Sequence, residues 1–203
     1  MHPNPVFRQE PNSQNLAFAK AQGFGVLAVP TKDDVLLSHV PFIVADNGES
    51  ALLHLVRSNP IVRTKAERLT AKIAVQGPHG YVSPDWYGVE EQVPTWNYVA
   101  VHLIGELVKL EQAEIRRVVD EISAFFEAQV PEKKPWVSDK MDQETLEKML
   151  IQIVPYRFEI KDISGTWKLN QNKTDAAREG AAQEMAESAI GSETTALARL
   201  MLG

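Results

Sequence analysis

The chain has 203 residues, of which 44% are hydrophobic and 24% are charged, and both fractions are ordinary for a globular protein. Its net charge of −6 argues against generic binding to nucleic-acid phosphates, so DNA stays possible as a partner but without support from charge. The absence of cysteine excludes disulfides and thiolate metal sites. The sequence shows no signal-peptide pattern and no apolar run long enough for a bilayer, so we expect a cytoplasmic protein with no membrane partner.

The first third of the chain predicts one helix and then several strands. The helix should end at Gln22, because Gly23 is a typical stop signal. A strand break is expected at Pro41, and Asn47-Gly48 is a strong hairpin turn. The strands predicted in this part cover residues 24–29, 35–45 and 51–56.

The rest of the chain predicts further strands between helices. The predicted strands cover residues 71–76, 95–110 and 156–163, and the predicted helices cover residues 61–69, 111–130 and 142–151. From Lys173 onward Ala, Glu, Thr and Ser dominate, and this composition predicts two more helices over residues 175–188 and 193–202. We therefore expect a domain over residues 1–172 and a helical C-terminal extension over residues 173–203.

The turn from Arg57 to Asn59 precedes a predicted helix that has Pro60 at its first position. Backbone N–H groups at a helix start, two polar side chains and a guanidinium are the parts of a phosphate site. A simple helix cap at Ser58 or Asn59, with Arg57 in solvent, is the more common role for such residues, because capped helices are frequent. The residues alone leave both interpretations open.

The sequence lacks the common motifs of catalysis and metal binding. It contains no Gly-x-Gly-x-x-Gly, no P-loop and no Gly-x-Ser-x-Gly, which argues against Rossmann enzymes, NTPases and α/β-hydrolases. No two of the five histidines have the spacing of metal ligands on a helix. We therefore assign neither a catalytic residue nor a metal ligand.

Several blocks that span most of the chain resemble the PaiB-like family of FMN-binding negative transcriptional regulators. The main block combines Gly-Pro-His-Gly-Tyr-Val-Ser-Pro-Asp-Trp-Tyr with Val-Pro-Thr-Trp-Asn-Tyr and a Val-His pair. Two more blocks are Leu-His-Leu-Val-Arg-Ser-Asn-Pro and Gly-Thr-Trp-Lys-Leu-Asn-Gln-Asn. In chain order the blocks occupy residues 53–60, 77–87, 93–98, 101–102 and 165–172.

The resemblance implies a fold, an assembly and a cofactor. The fold would be α+β and mainly β: an antiparallel six-stranded split β-barrel with peripheral helices, to which the C-terminal extension is added. The protein would be a homodimer with FMN at the dimer interface. Residues 173–203 have no counterpart in the resemblance.

The resemblance also implies a set of cofactor-binding residues. The Arg57–Asn59 turn would hold the phosphate, and the neighbouring strands would line the flavin ring, with Trp96 and its neighbours contributed by the partner subunit. Without the resemblance, His54 or Trp96 would more often be a packed structural residue. For Lys168, the role of a simple strand-end lysine is as plausible as a contact with the cofactor. The full set is His39, Val40, Pro41, His54, Leu55, Arg57, Ser58, Asn59, Trp96, Asn97, Tyr98, Lys168 and Gln171.

Three functions remain open on the sequence. The first is an FMN-binding transcriptional regulator of the PaiB type. The second is a flavin-dependent oxidoreductase that uses FMN and NAD(P)H, in which the flavin would carry the electrons. The third is a dimeric interaction module that binds no cofactor. Whether the protein is an enzyme is not decided by the sequence.

Overall fold

The computed structural model describes all residues, 1–203, and its main component is an eight-stranded sheet. Many strand residues are β-branched or aromatic, and along most strands buried positions alternate with less buried ones, as in strands with one covered face. The strands are β1 (Phe24–Pro30), β2 (Val35–Pro41), β3 (Ile43–Val44), β4 (Ser50–Val56), β5 (Arg68–Val82), β6 (Thr95–Lys109), β7 (Ile153–Lys168) and β8 (Gly191–Ser192).

Six α-helices accompany the sheet, together with four short 3-10 turns. None of the helices combines the length and the apolar character needed to cross a membrane. The 3-10 turns are Pro5–Phe7, Pro84–Tyr87, Gln112–Glu114 and Ser138–Lys140. The α-helices are α1 (Asn12–Gln22), α2 (Pro60–Arg63), α3 (Ile115–Glu127), α4 (Gln143–Leu150), α5 (Asp175–Glu187) and α6 (Thr194–Leu202).

The mainly β, antiparallel character of the fold is confirmed, but the expected number of six strands is wrong. The two extra strands are the two-residue strands β3 and β8. β3 is separate from β2 because the chain breaks after Pro41, where the backbone N–H of Phe42 donates to the carbonyl of Gly23 at 2.8 Å. β8 lies between the two C-terminal helices, at a position where a break near Gly191-Ser192 was expected but no strand was predicted.

The connection between β4 and β5 is also different from the prediction. Residues 61–69 were expected to form a helix, but α2 is a single turn that begins at Pro60 and ends at Arg63. Lys65 follows with a φ of +59°, a left-handed conformation in which a helix does not continue. β5 then starts at Arg68, earlier than expected, and runs on through Gly77-Pro78.

The strand order in the sheet is β2-β1-β5-β6-β7-β4-β3, and β8 pairs with β5. β1 and β2 form an antiparallel hairpin in which Val26 faces His39. β4 runs antiparallel to β7, with His54 opposite Pro155. β2 is therefore an edge strand of this order, and β4 lies between β7 and β3.

The chain divides into two compact units. The first unit contains residues 1–15, 76–102 and 164–203, and the second contains residues 16–75 and 103–163. This division groups the C-terminal helices with the middle of the chain, so the predicted boundary between residues 172 and 173 stays a prediction.

Each unit has its own buried apolar cluster. In the second unit, large strand side chains such as Leu27, Leu53 and Phe158 are fully buried. In the first unit, small side chains of α5 and α6 pack with residues that precede them in the chain. That cluster contains Val82, Tyr87, Ala177, Ala181, Ala182, Met185, Leu197, Ala198 and Met201.

A glycine fixes the close approach of β6 and β7 in the second unit. A Cβ at Gly105 would lie 1.8 Å from the backbone oxygen of Glu159, so the two backbones leave no room for a side chain. We expect Gly105→Ala to lower the free energy of unfolding by about 3 kcal/mol, the size of an overpacking penalty. Urea denaturation would measure it. Thr70→Ala, at an exposed position of β5, is the control and should change the unfolding free energy by less than about 0.5 kcal/mol.

Candidate functional site

The predicted site residues fall into two groups, one in each unit. The second unit holds those on β2 and β4 and in the turn that follows β4. The first unit holds those at the start of β6 and at the end of β7.

The turn after β4 is organised by the side chain of Asn59. Its Oδ1 accepts a hydrogen bond from the backbone N–H of Ile61 at 2.9 Å, so Asn59 is the N-cap of α2, as one of the two predicted candidates. Its Nδ2 donates to the Ser38 hydroxyl at 3.0 Å. One amide thus joins the turn to β2, next to His39, while Ser58 is exposed beside it.

Arg57 is exposed but already bonded within the second unit. Its Nε donates to the carbonyl of Ile151 at 2.8 Å, and one terminal nitrogen, Nη2, donates to Gln112 Oε1 at 2.7 Å. The other terminal nitrogen takes no part in these bonds. Arg57 therefore stands beside Ser58 in a fixed position, with part of its guanidinium engaged by protein acceptors.

His54 carries a buried polar atom that lacks a partner. Its Nδ1 is excluded from solvent and makes no hydrogen bond. Burial lowers the pKa of His54 below its ordinary value of 6.5, because the charged imidazolium loses its hydration. Since buried polar groups are normally hydrogen-bonded, His54 Nδ1 is a candidate for a partner that the chain itself does not supply.

Strand alternation separates the ring-lining residues that were predicted together. His39 is exposed and Pro41 is half-buried, whereas the Val40 side chain is only 1% exposed. In the same way Leu55 is 3% exposed, next to the half-buried His54. A ligand could reach Val40 and Leu55 only through their backbone atoms.

An aromatic neighbour of His39 was missed by the sequence analysis. The ring of Phe24 stacks against that of His39 with 6.5 Å between the centroids and an interplanar angle of 29°. Phe24 is 53% exposed, so its ring is accessible beside that of His39. The pairing of β1 with β2 could have revealed this neighbour, because it places Phe24 opposite Pro41 and on the same face as His39.

The group in the first unit centres on Trp96, whose side chain is 46% exposed. Its ring lies 6.2 Å from those of both His79 and Tyr81, measured between centroids. The next residue, Asn97, is fully buried, and Tyr98 is again half-buried. Trp96 and Tyr98 are thus the members of this tripeptide that offer side-chain surface.

Lys168 supports the start of β6 from the end of β7. Its ammonium donates to the Thr95 hydroxyl and, at 2.8 Å, to the backbone oxygen of Trp96. It also lies 5.8 Å from the centroid of the Phe7 ring. Burial, and then the nearby charge of Lys173, lower the pKa of Lys168. These contacts make Lys168 a support for Trp96 as well as a candidate ligand.

Gln171 is occupied within its own turn. Its Nε2 donates to the carbonyl of Trp167 at 2.6 Å, and its Oε1 accepts from the backbone N–H of Leu169 at 2.8 Å. Both ends of the amide are thus satisfied where β7 ends. A cofactor contact from Gln171 would have to share these bonds.

Comparison with solved structures defines the fold class. The chain matches the FAD and heme binding protein from Mycobacterium smegmatis with a TM-score of 0.59 at 14% identity, covering 84% of this chain and 78% of that one. It matches the conserved hypothetical protein Rv2991 from Mycobacterium tuberculosis with a TM-score of 0.57 at 12% identity, covering 85% and 94%. The fold is the split β-barrel of flavin-binding proteins.

Sequence comparison then identifies the family. Residues 1–162 match the family described as "Putative FMN-binding domain". The chain is also 31% identical over 161 residues to the "Protease synthase and sporulation protein PAI 2" of Bacillus subtilis, covering 78% of this chain and 76% of that protein. The chain belongs to this FMN-binding family, as the resemblance implied, and FMN is its cofactor.

The residues of the second unit fit a flavin nucleotide in their chemistry. The unpartnered Nδ1 of His54 can bond a polar ring edge, and the exposed Phe24 and His39 rings offer flat surface. Ser58 and the second terminal nitrogen of Arg57 can donate to a phosphate. Asn59 is already used as a cap, so it positions the turn.

The buried imidazole of His54 predicts a pH dependence of stability. Because its pKa is lowered, His54 takes up a proton at lower pH in the folded protein than in the unfolded chain. The contribution of His54 to stability is therefore complete above its unfolded pKa and is lost as the pH falls through the folded pKa. We expect the urea midpoint of the protein to fall more between about pH 7 and pH 5 than that of His54→Gln. Equal slopes for the two proteins would contradict this assignment. His39→Gln, at an exposed position, is the control and should keep the wild-type slope.

Proposed function

We propose that this FMN-binding split-barrel protein is a transcriptional regulator of the PaiB type. The observation that carries the proposal is membership of the FMN-binding family together with 31% identity to the "Protease synthase and sporulation protein PAI 2". Direct contact with DNA is not part of the proposal, because the net charge is −6. The cytoplasmic location and the boundary at residue 172 stay predictions.

The turn after β4 is proposed to bind the FMN phosphate. Arg57 and Ser58 donate to the phosphate oxygens, and Asn59 fixes both residues through its bonds to Ile61 and Ser38. Because α2 has only four residues, its dipole adds little, and the guanidinium supplies most of the attraction. This assignment gives Arg57 the largest individual effect on FMN affinity.

The ring of FMN is proposed to lie against β2 and β4. His54 bonds the ring edge through Nδ1, while His39 and Pro41 present side chains and Val40 and Leu55 contribute backbone only. When bound, FMN supplies one- and two-electron transfer. The residues of the chain position the flavin ring and exclude water from His54, and the imidazole of His54 can hold a proton.

The Trp96 group is proposed to reach the cofactor from the partner subunit. Trp96 and Tyr98 offer aromatic surface, and Lys168 supplies a positive charge that is held in place by Thr95 and by the Trp96 carbonyl. Asn97 and Gln171 support this surface from within the first unit. FMN binding and dimerisation are then coupled, because each site needs two copies of the chain.

An exposed apolar face on the β1–β2 hairpin supports the homodimer. Phe24 is 53%, Val35 51% and Leu37 61% exposed, and the antiparallel register places these side chains on the same face as His39. Isolated exposed apolar residues are normal, but a row of them along an edge strand is typical of an interface. Pairing of two copies through this face would cover it.

A flavin-dependent oxidoreductase is the second candidate, favoured by the unpartnered His54 nitrogen. A buried imidazole beside a flavin ring can hold or release a proton during reduction. Bleaching of bound FMN by NAD(P)H under anaerobic conditions separates the two functions. Rapid bleaching that depends on His54 supports the enzyme, and an unreduced flavin supports the regulator.

Removal of the guanidinium tests the phosphate assignment. We expect Arg57→Ala to weaken FMN binding about 10- to 100-fold, because it deletes a charge-assisted hydrogen bond. Flavin fluorescence titration measures the dissociation constant. Gln112→Ala is the control, because it removes the acceptor of the Arg57 Nη2 hydrogen bond but keeps the guanidinium. The FMN affinity of Gln112→Ala should therefore change far less than that of Arg57→Ala. Unchanged affinity in Arg57→Ala would rule out this phosphate site.

A charge on the hairpin face tests the dimer. We expect Leu37→Asp to shift the protein from dimer to monomer in sedimentation velocity at micromolar concentration, because a carboxylate would be buried without a partner. Val89→Asp is the matched control, since Val89 is 52% exposed in a loop of the other unit. A monomeric wild-type protein, or a Leu37→Asp protein that stays dimeric, would contradict the proposed face.

A further inference from the structure

The C-terminal segment, residues 173–203, is anchored on β5 beside the Trp96 cluster. β8 pairs antiparallel with β5, with Ser192 opposite His79 and Gly191 opposite Gly80. The backbone N–H of Tyr81 also donates to the carbonyl of Ile190 at 3.0 Å. His79 and Tyr81 are the two residues whose rings flank Trp96, so the segment holds the backbone of both.

The same segment covers the strand residue that follows Trp96. Asn97 is fully buried, and its Nδ2 lies 3.4 Å from the sulfur of Met201, which is 2% exposed near the end of α6. Asn97 Oδ1 has no hydrogen-bond partner. A thioether is a weak acceptor, yet the Met201 sulfur is the atom that meets this buried amide. The position of α6 therefore determines how Asn97 is satisfied.

Three glycines show that the C-terminal segment packs closely against the residues around it. A Cβ at Gly80 would lie 2.5 Å from the Met185 sulfur, and a Cβ at Gly180 would lie 2.8 Å from the Trp86 carbonyl oxygen. A Cβ at Gly191 would lie 2.2 Å from the His79 carbonyl oxygen. Because these positions leave no room for a Cβ, the segment packs closely on the residues that it covers.

We propose that the C-terminal segment is a positioning element for Trp96. It acts through Met201 on Asn97 and through β8 on His79 and Tyr81, so that the exposed indole is held in one orientation. The proposal rests on the proposed function in one respect: an ordered Trp96 would give a stronger contact with the flavin ring. The positioning itself does not require FMN.

A segment that merely covers apolar surface would behave differently. Its contribution would lie in the cluster around Val82, Tyr87 and Met185, and a change at Met201 would alter the unfolding midpoint alone. A positioning element must also change the environment of Trp96 when the global stability is kept. The experiment therefore needs a signal that belongs to Trp96.

Fluorine NMR of protein labelled with 5-fluorotryptophan provides that signal. The four tryptophans give four resonances, and Trp96→Phe assigns the one that belongs to Trp96. Met201→Leu keeps an apolar side chain of similar size but removes the sulfur acceptor of Asn97. Leu200→Ala, at an adjacent and 37% exposed position of α6, is the control.

We expect Met201→Leu to shift or broaden the Trp96 resonance and to leave the Trp136 resonance in place. We also expect this substitution to weaken FMN binding about five-fold, which is the typical effect of losing a buried hydrogen bond. Gly191→Ala, which disturbs β8 independently, should move the same resonance. Leu200→Ala should change neither the resonance nor the affinity.

A Trp96 resonance that is the same in the wild type, Met201→Leu and Gly191→Ala would overturn the proposal, whatever happens to the unfolding midpoint. If the Trp96 resonance moves but none of the proteins binds FMN, the positioning stands and the proposed function fails. If the resonance moves and wild-type FMN affinity persists in Met201→Leu, the link from Trp96 to the cofactor is overturned.

Discussion

The alternation of side chains along β-strands decides which residues of the candidate site can meet a ligand. In His39-Val40-Pro41 and in Trp96-Asn97-Tyr98, the central residue is buried and its neighbours are at least partly accessible. A short motif on a strand therefore contains two kinds of residue. The accessible ones offer chemistry, and the buried ones fix the strand that presents them.

Much of this arrangement could be predicted from the sequence because it depends on local signals. The break at Pro41, the Asn59-Pro60 helix start and the two C-terminal helices, within a residue or two of their observed ends, all follow from neighbouring residues. The flavin-binding split barrel was implied by the resemblance, and the comparisons confirm it.

What the sequence could not predict depends on contacts between distant parts of the chain. β8 is a strand because residues 191–192 meet His79 and Gly80, more than a hundred residues earlier. The bond from Asn59 to Ser38 and the contact from Asn97 to Met201 are likewise invisible to a local pattern. The predicted length of α2 was also wrong, because β5 begins at Arg68, inside the range that was predicted to be helical.

Binding of FMN by this chain is tested most directly by the visible absorption spectrum of the purified protein. FMN is added, the protein is desalted, and the spectrum is recorded again. Retained bands near roughly 370 and 450 nm, as expected for a bound flavin, are the predicted result. A colourless protein that retains no FMN would contradict the account and would leave the fold as a scaffold for protein interactions.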